Sequence, residues 1–131
     1  MNIHYLAGLF DGEGTVTLSK RTTKDKYRTP TLSLTSTTKT LVDVMHAQFG
    51  GWIVNKKTYK EHHKQAWSWY VSGNNAIIAC EALQHYILEP QKKARMTLIT
   101  ELYKEVTPRN GKYNSTLKLQ KEQFEQRFFE L

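Results

Sequence analysis

The sequence predicts an α+β domain in which four antiparallel strands form one sheet and the helices pack on one of its faces. Three observations carry this. Two pairs of stretches, 15–21 with 31–35 and 52–59 with 67–72, alternate apolar and polar residues at the period of a half-buried strand. Each pair is followed by apolar residues at i, i+3 and i+4, the period of a helix that packs by one stripe. At 131 residues the chain has room for one core and little for two, so 1–131 reads as a single domain. An antiparallel sheet tolerates one open face, so the polar side of these strands becomes surface.

The elements follow in order. Asn2 suits an N-cap, and Ile3, Leu6, Leu9 and Phe10 make the first helical stripe, which Gly14 ends. Two features of this helix need a cause. Gly8 and Gly12 share a face, and each internal glycine costs a helix about 1 kcal/mol relative to alanine. Their spacing lets a second backbone approach closely. Glu13 stands at the helix C-terminus, where the dipole is negative, so its carboxylate calls for a cation beside it. In the next strand Val16 and Leu18 face inward and Thr17, Ser19 and Arg21 outward. A basic hairpin loop, 21–28, carries Lys24, Lys26 and Arg28. After Pro30, Leu32 and Leu34 face inward and Thr31, Ser33 and Thr35 outward.

Thr37 or Thr38 caps a second helix through Leu41, Val44, Met45 and Phe49, which Gly50-Gly51 ends. A third strand runs from Trp52 to about Tyr59. Both registers offer it an apolar start; with Trp52 and Val54 inward, Asn55, Lys57 and Tyr59 point outward. Beyond a basic turn, 60–64, Trp67, Trp69 and Val71 alternate with the outward Ser68 and Tyr70. Ser72-Gly73-Asn74 turns into a helix over 76–87, with Ile77, Cys80, Ala82 or Leu83, and Ile87 inward. Pro90 fits the first turn of a further helix, striped by Ala94, Leu98, Leu102 and Val106. Lys92, Lys93 and Arg95 open that helix against its dipole, which is incidental or aimed at a phosphate. After a loop at 107–114, Leu117, Phe124, Phe128 and Leu131 mark a last amphipathic helix.

The formal charge of +7 calls for a polyanionic partner. No outward strand residue is acidic. A two-stranded ribbon fits the DNA major groove, so Thr17, Ser19, Arg21, Thr31, Ser33, Thr35, Asn55, Lys57, Ser68 and Tyr70 are candidate base-facing residues. The loop cations Lys24, Lys26, Arg28, Lys60 and Lys64 suit phosphates, which position without specifying sequence. His62-His63 lacks accompanying ligands and reads as part of a basic turn. The single cysteine, Cys80, sits in an apolar stripe and fits a reducing compartment. With no signal-peptide profile and no apolar run of membrane-spanning length, the expectation is a soluble intracellular protein with no membrane or small-molecule partner.

The stretch Leu6-Ala7-Gly8-Leu9-Phe10-Asp11-Gly12-Glu13-Gly14 resembles the nonapeptide that names the LAGLIDADG homing endonucleases, with Phe10 replacing Ile, Gly12 replacing Ala and Glu13 replacing Asp. The αββαββα order, Phe49-Gly50-Gly51 before strand three, and Trp69-Tyr70-Val71-Ser72-Gly73 before the third helix are similar to that family as well. The resemblance spans about 2–106 and leaves out the loop and helix at 107–131. It implies a four-stranded saddle on double-stranded DNA, in a homodimer whose motif helices pack along Ala7, Gly8 and Gly12. It further implies that Glu13 and the Gly12 carbonyl hold Mg²⁺, with Mn²⁺ or Ca²⁺ able to take the site, for phosphodiester hydrolysis at a pseudo-palindromic target. A lysine the family often uses falls here on Pro90, which leaves Lys92 or Lys93 as its substitute. The polar residue that follows strand two falls near Thr38, and Asp11 matches an acid read as structural. The alternative is a DNA- or RNA-binding module of the same fold without cleavage.

Overall fold

A computed structural model describes residues 2–56 and 64–131. The elements are α1 (Ile3–Glu13), β1 (Gly14–Ser19), β2 (Thr29–Ser36), α2 (Lys39–Phe49), β3 (Trp52–Lys56) and β4 (Ala66–Ser72), then α3 (Asn74–Leu83), α4 (Pro90–Leu98) and α5 (Ser115–Glu130). A 3₁₀ turn at Gln84–Tyr86 ends α3 early, and a π turn at Ile99–Tyr103 continues α4. The expected αββαββα order is present, and the four strands form one antiparallel sheet in the order β1-β2-β4-β3.

Cross-strand register divides the sheet's faces. Gly14, Leu34, Trp69 and Ile53 lie in one row, and Val16, Leu32 and Val71 in the next. These inner positions join a buried cluster with Leu6, Ala7 and Phe10 of α1, Val42 and Met45 of α2, Ile77, Cys80 and Leu83 of α3, and Met96 of α4. Burial pushes the Cys80 thiol up to about 12, so it packs as an unreactive apolar group. Asn2 caps α1 as expected, its side chain accepting from the His4 amide at 2.7 Å. Thr38 is the α2 N-cap residue, although its hydroxyl makes no cap bond.

The register of β3 overturns one expectation. Trp52 pairs with Tyr70 and Val54 with Ser68, so both point outward, whereas Ile53 pairs with the fully buried Trp69. The cause lies in the turn before the strand. Gly50 and Gly51 both have positive φ, 73° and 88°, and a Cβ on Gly51 would collide with the Tyr70 carbonyl oxygen. The Trp69 indole, bonded to the Gly50 carbonyl at 2.7 Å, already fills the inner space. Asn55 consequently turns to the helix side opposite Trp67, where its amide oxygen accepts from Gln65. Lys57, Tyr59, Lys60 and His62-His63 lie outside the described residues.

The C-terminal helix belongs to the same buried cluster through Phe124 and Phe128. Two arginines fasten it. Glu125 accepts from the Arg28 backbone and guanidinium, each at 3.0 Å. Arg95 donates to the Val16 carbonyl on the edge strand β1 at 2.9 Å and lies over the Phe128 ring. Covering an edge strand in this way blocks strand addition there. Among the described residues no helix is long and apolar enough to cross a membrane.

Lys121 on α5 is 1% exposed, its ammonium 2.6 Å from the Thr107 hydroxyl and 4.0 Å from the Tyr103 ring centroid. Burial pulls its amine down to about 8, against an opposing pull from Glu125. The folded state therefore binds fewer protons than the unfolded chain above pH about 8, and stability should rise with pH from there toward 10. Above 10 the trend should reverse, because burial raises the Tyr27 and Tyr113 hydroxyls above their ordinary value. Lys121→Met should raise urea-unfolding stability by about 1–3 kcal/mol at pH 7 and by much less at pH 10. An equal gain at both pH values would show that the buried charge is not what destabilises.

Candidate functional site

The face of the sheet opposite the helices carries the row Thr15–Ser33–Tyr70–Trp52, flanked by Thr17–Thr31–Ser72 and Thr35–Ser68–Val54. Thr17, Ser19, Thr31, Ser33, Thr35, Ser68 and Tyr70 thus stand on the open face. They do not contribute equally. Ser19 and Thr31 share a 2.6 Å hydroxyl bond, and so do Thr35 and Ser68. Thr31 is 8% exposed and Ser68 fully buried, so these two brace their neighbours, while Thr35 stays exposed with acceptor capacity left.

Three predicted DNA contacts are placed differently. Asn55 is on the other face. β1 ends at Ser19, so alternation no longer directs Arg21; its guanidinium lies beside Gly73 in a recess also lined by Asn74, Lys104 and Arg109. Arg28 is engaged by Glu125 and stacks on Phe129, which makes it an anchor for α5. Lys24, Lys26 and Lys64 are exposed as expected. The open face instead gains Trp52, Val54 and Lys56. The sequence signal for this is Gly50-Gly51, whose turn sets where β3 begins.

Glu13 is the last residue of α1, and its side chain is exposed. Gly14 stands opposite Leu34, so Glu13 lies at the end of the sheet where β2 runs out to Ser36 and Thr38. Thr38 is exposed there, its amide donating to Ser36 Oγ at 2.9 Å. Lys92 arrives from α4. Its ammonium donates to the carbonyl of Asp11 at 2.6 Å, an acceptor in the last turn of the helix, and at 3.3 Å to that of Phe10, which also accepts from the Gly14 amide. Lys93, one residue on, is exposed and makes no side-chain bond among the described residues.

Asp11 organises this junction. Its carboxylate accepts from the backbone amides of Leu88 and Glu89 at 3.1 Å. Glu89 in turn caps α4, accepting from the Lys92 amide at 2.6 Å. The two bonds in series deliver Lys92 to the last turn of α1, where its charge meets the negative end of the helix dipole. It makes no ion pair with Glu13. Asp11→Ala should cost about 1–2 kcal/mol in urea unfolding, and Asp11→Asn, which keeps one acceptor, about half of that. If alanine unfolds the protein no sooner than asparagine, the carboxylate is not the brace.

The glycines answer differently from the rest of α1. Gly8 and Gly12 are exposed, and a Cβ on either would meet nothing within 4 Å. Packing inside the chain therefore does not explain them. They share an outward ridge with Tyr5, 49% exposed. Ala7, by contrast, is 1% exposed and faces the core, so it cannot line that ridge.

No group of three or more His, Cys, Asp or Glu side chains gathers among the described residues. One exposed carboxylate beside one helix-end carbonyl offers the hard oxygen donors that a divalent cation takes, but only half a set. The donors fit such an ion if a second chain brings the same pair.

No family model matches the chain. No curated protein matches it either. Solved structures do. The homing endonuclease I-CvuI, in complex with its target in the presence of Ca, superposes with a TM-score of 0.72 at 17% identity, over 97% of this chain and 79% of that one. An archaeal intron-encoded homing endonuclease complexed with DNA gives 0.72 at 15% identity, over 98% and 82%. The LAGLIDADG homing endonuclease I-GzeII, in complex with a DNA target, gives 0.65 at 21% identity over 95% of this chain but 44% of that one. The likeness is one of fold, and its extent takes in α5, beyond the 2–106 that the sequence motifs cover.

Proposed function

We propose that this chain, built on the LAGLIDADG homing-endonuclease fold, is a divalent-metal-dependent, site-specific double-strand DNA endonuclease that works as a homodimer. The observation that carries this is the pair of exposed glycines, Gly8 and Gly12, which serve no packing within the chain and lead directly to Glu13. Two copies joined along that ridge would bring two Glu13 carboxylates together. A two-fold protein favours a pseudo-palindromic duplex site.

Each residue then has a task. Glu13 and the Gly12 carbonyl of each copy would hold Mg²⁺, or Mn²⁺ or Ca²⁺ in its place. When bound, such an ion supplies an activated water and stabilises the leaving oxygen of the phosphodiester. Lys92 keeps a positive charge at the end of α1, where it offsets the helix dipole and the approaching phosphates' need for a counter-charge. Thr38 and Lys93 are exposed and are assigned to orienting water or a phosphate. Thr17, Ser19, Ser33, Thr35 and Tyr70 face the bases, and Lys24, Lys26 and Lys64 meet the backbone.

A second reading has one observation in its favour. Lys92 already places a cation on the α1 end, so Glu13 does not strictly require a metal there. A binding module of the same fold without cleavage would keep every other feature. Selection of duplexes from a random pool, followed by incubation with Mg²⁺, separates the two. The nuclease reading expects an enriched long site that is cut on both strands. A tightly bound site left intact under Mg²⁺ and under Mn²⁺ leaves the binding module.

A further inference from the structure

The open face holds one region that is not hydroxyl-rich. Trp52 is 48% exposed and Val54 is 38% exposed, both on the edge strand β3. The Trp52 ring stacks on Tyr70 with centroids 5.7 Å apart and planes 21° from parallel. The Lys56 ammonium bonds the Tyr70 hydroxyl at 3.2 Å and lies 5.7 Å from the ring centroid. The cation anchors the hydroxyl end of Tyr70, on which the indole stacks. A stacked cross-strand pair could exist only to stabilise an edge strand. That account does not cover Val54, which lies in the next row beside Ser68, outside the stack and also exposed.

Exposed apolar surface within a polar face marks a contact with something apolar. Among the described residues the adjoining rows carry hydroxyls, Lys56 and Ala66 and no acid, which suits a polyanion. The edge of a base pair in the major groove offers hydrogen-bonding groups and a single apolar one, the 5-methyl of thymine. We infer that Trp52 and Val54 read thymine through its 5-methyl group, at one position in each half-site, with Tyr70 and Lys56 fixing the indole plane. This rests on the DNA-binding reading above.

The test uses a duplex selected from a random pool by the full chain, remade with deoxyuridine in place of each thymidine in turn. Uracil removes the methyl and leaves every hydrogen-bonding group in place. One position per half-site should lose about three- to fivefold in affinity, the worth of one buried methyl. The double variant Trp52→Ser, Val54→Thr should bind the unmodified duplex more weakly and show no deoxyuridine effect at that position. Val54→Ala, a smaller change, should show a reduced effect with an unchanged unfolding midpoint. Tight selective binding by the natural chain with no deoxyuridine effect anywhere overturns the inference and leaves the DNA reading standing. A deoxyuridine effect that persists at full size in the double variant also overturns it. Failure to enrich any duplex removes the DNA reading, and this inference with it.

Discussion

Glu13→Gln should lower DNA cleavage by about 10³-fold or more while leaving affinity for the same duplex within about twofold. A divalent ion contributes several kcal/mol of charge stabilisation to phosphodiester hydrolysis, and each 1.36 kcal/mol is a tenfold rate. The neutral amide keeps the shape of the side chain and loses the charge that would hold the ion. Glu13 is exposed, so the substitution touches no packing. It also removes a negative charge from the negative end of α1, which should stabilise the fold by about 0.3–1 kcal/mol. Activity and stability therefore move in opposite directions, a pattern that a structural role for Glu13 would not give. Cleavage by Glu13→Gln at near-natural rates would remove the carboxylate from the chemistry.

The second large effect belongs to the glycine ridge, and it too has two signs. Gly8→Gln replaces a poor helix former with a good one at a position where a side chain meets nothing. The isolated protomer should gain about 0.5–1 kcal/mol in urea unfolding. The same side chain would stand between two helices meant to touch, so the chain should sediment as a monomer and lose double-strand cleavage entirely. Gly12→Gln should do the same with a smaller gain in stability, because it lies in the last turn of α1. A stable, cleaving dimer of either variant would mean that the copies meet elsewhere.

Much of this was legible in the sequence because the signals were local. The two alternating pairs, the helix stripes and the cap at Asn2 depend on neighbours within a turn or two. What escaped depended on distant residues. A one-residue slip in β3 exchanges its two faces, and that register is set by Gly51 against Tyr70, across a hairpin. Both registers offer β3 an apolar start, and Trp52 inward is excluded because Trp69 fills the inner space. Alternation sends Arg21 outward from a strand that in fact ends at Ser19, and Arg28 suits a phosphate where Glu125 instead holds it. At the site, Glu13 and the two glycines stood out because each broke a local rule of helix chemistry. Lys92 could be proposed, but its delivery through Asp11 and Glu89 could not be read without the fold. Ala7, placed in the motif and in the seam alike, lies on the buried stripe with Leu6 and Phe10.

Two chains are expected to share one site on one duplex. The mass of the complex formed on a single selected duplex in Ca²⁺, followed by addition of Mg²⁺ to the same sample, decides this. Two chains per duplex, with both strands cut at positions related by a two-fold axis, is the predicted result. One chain per duplex, or two chains on a duplex that stays whole, would contradict it.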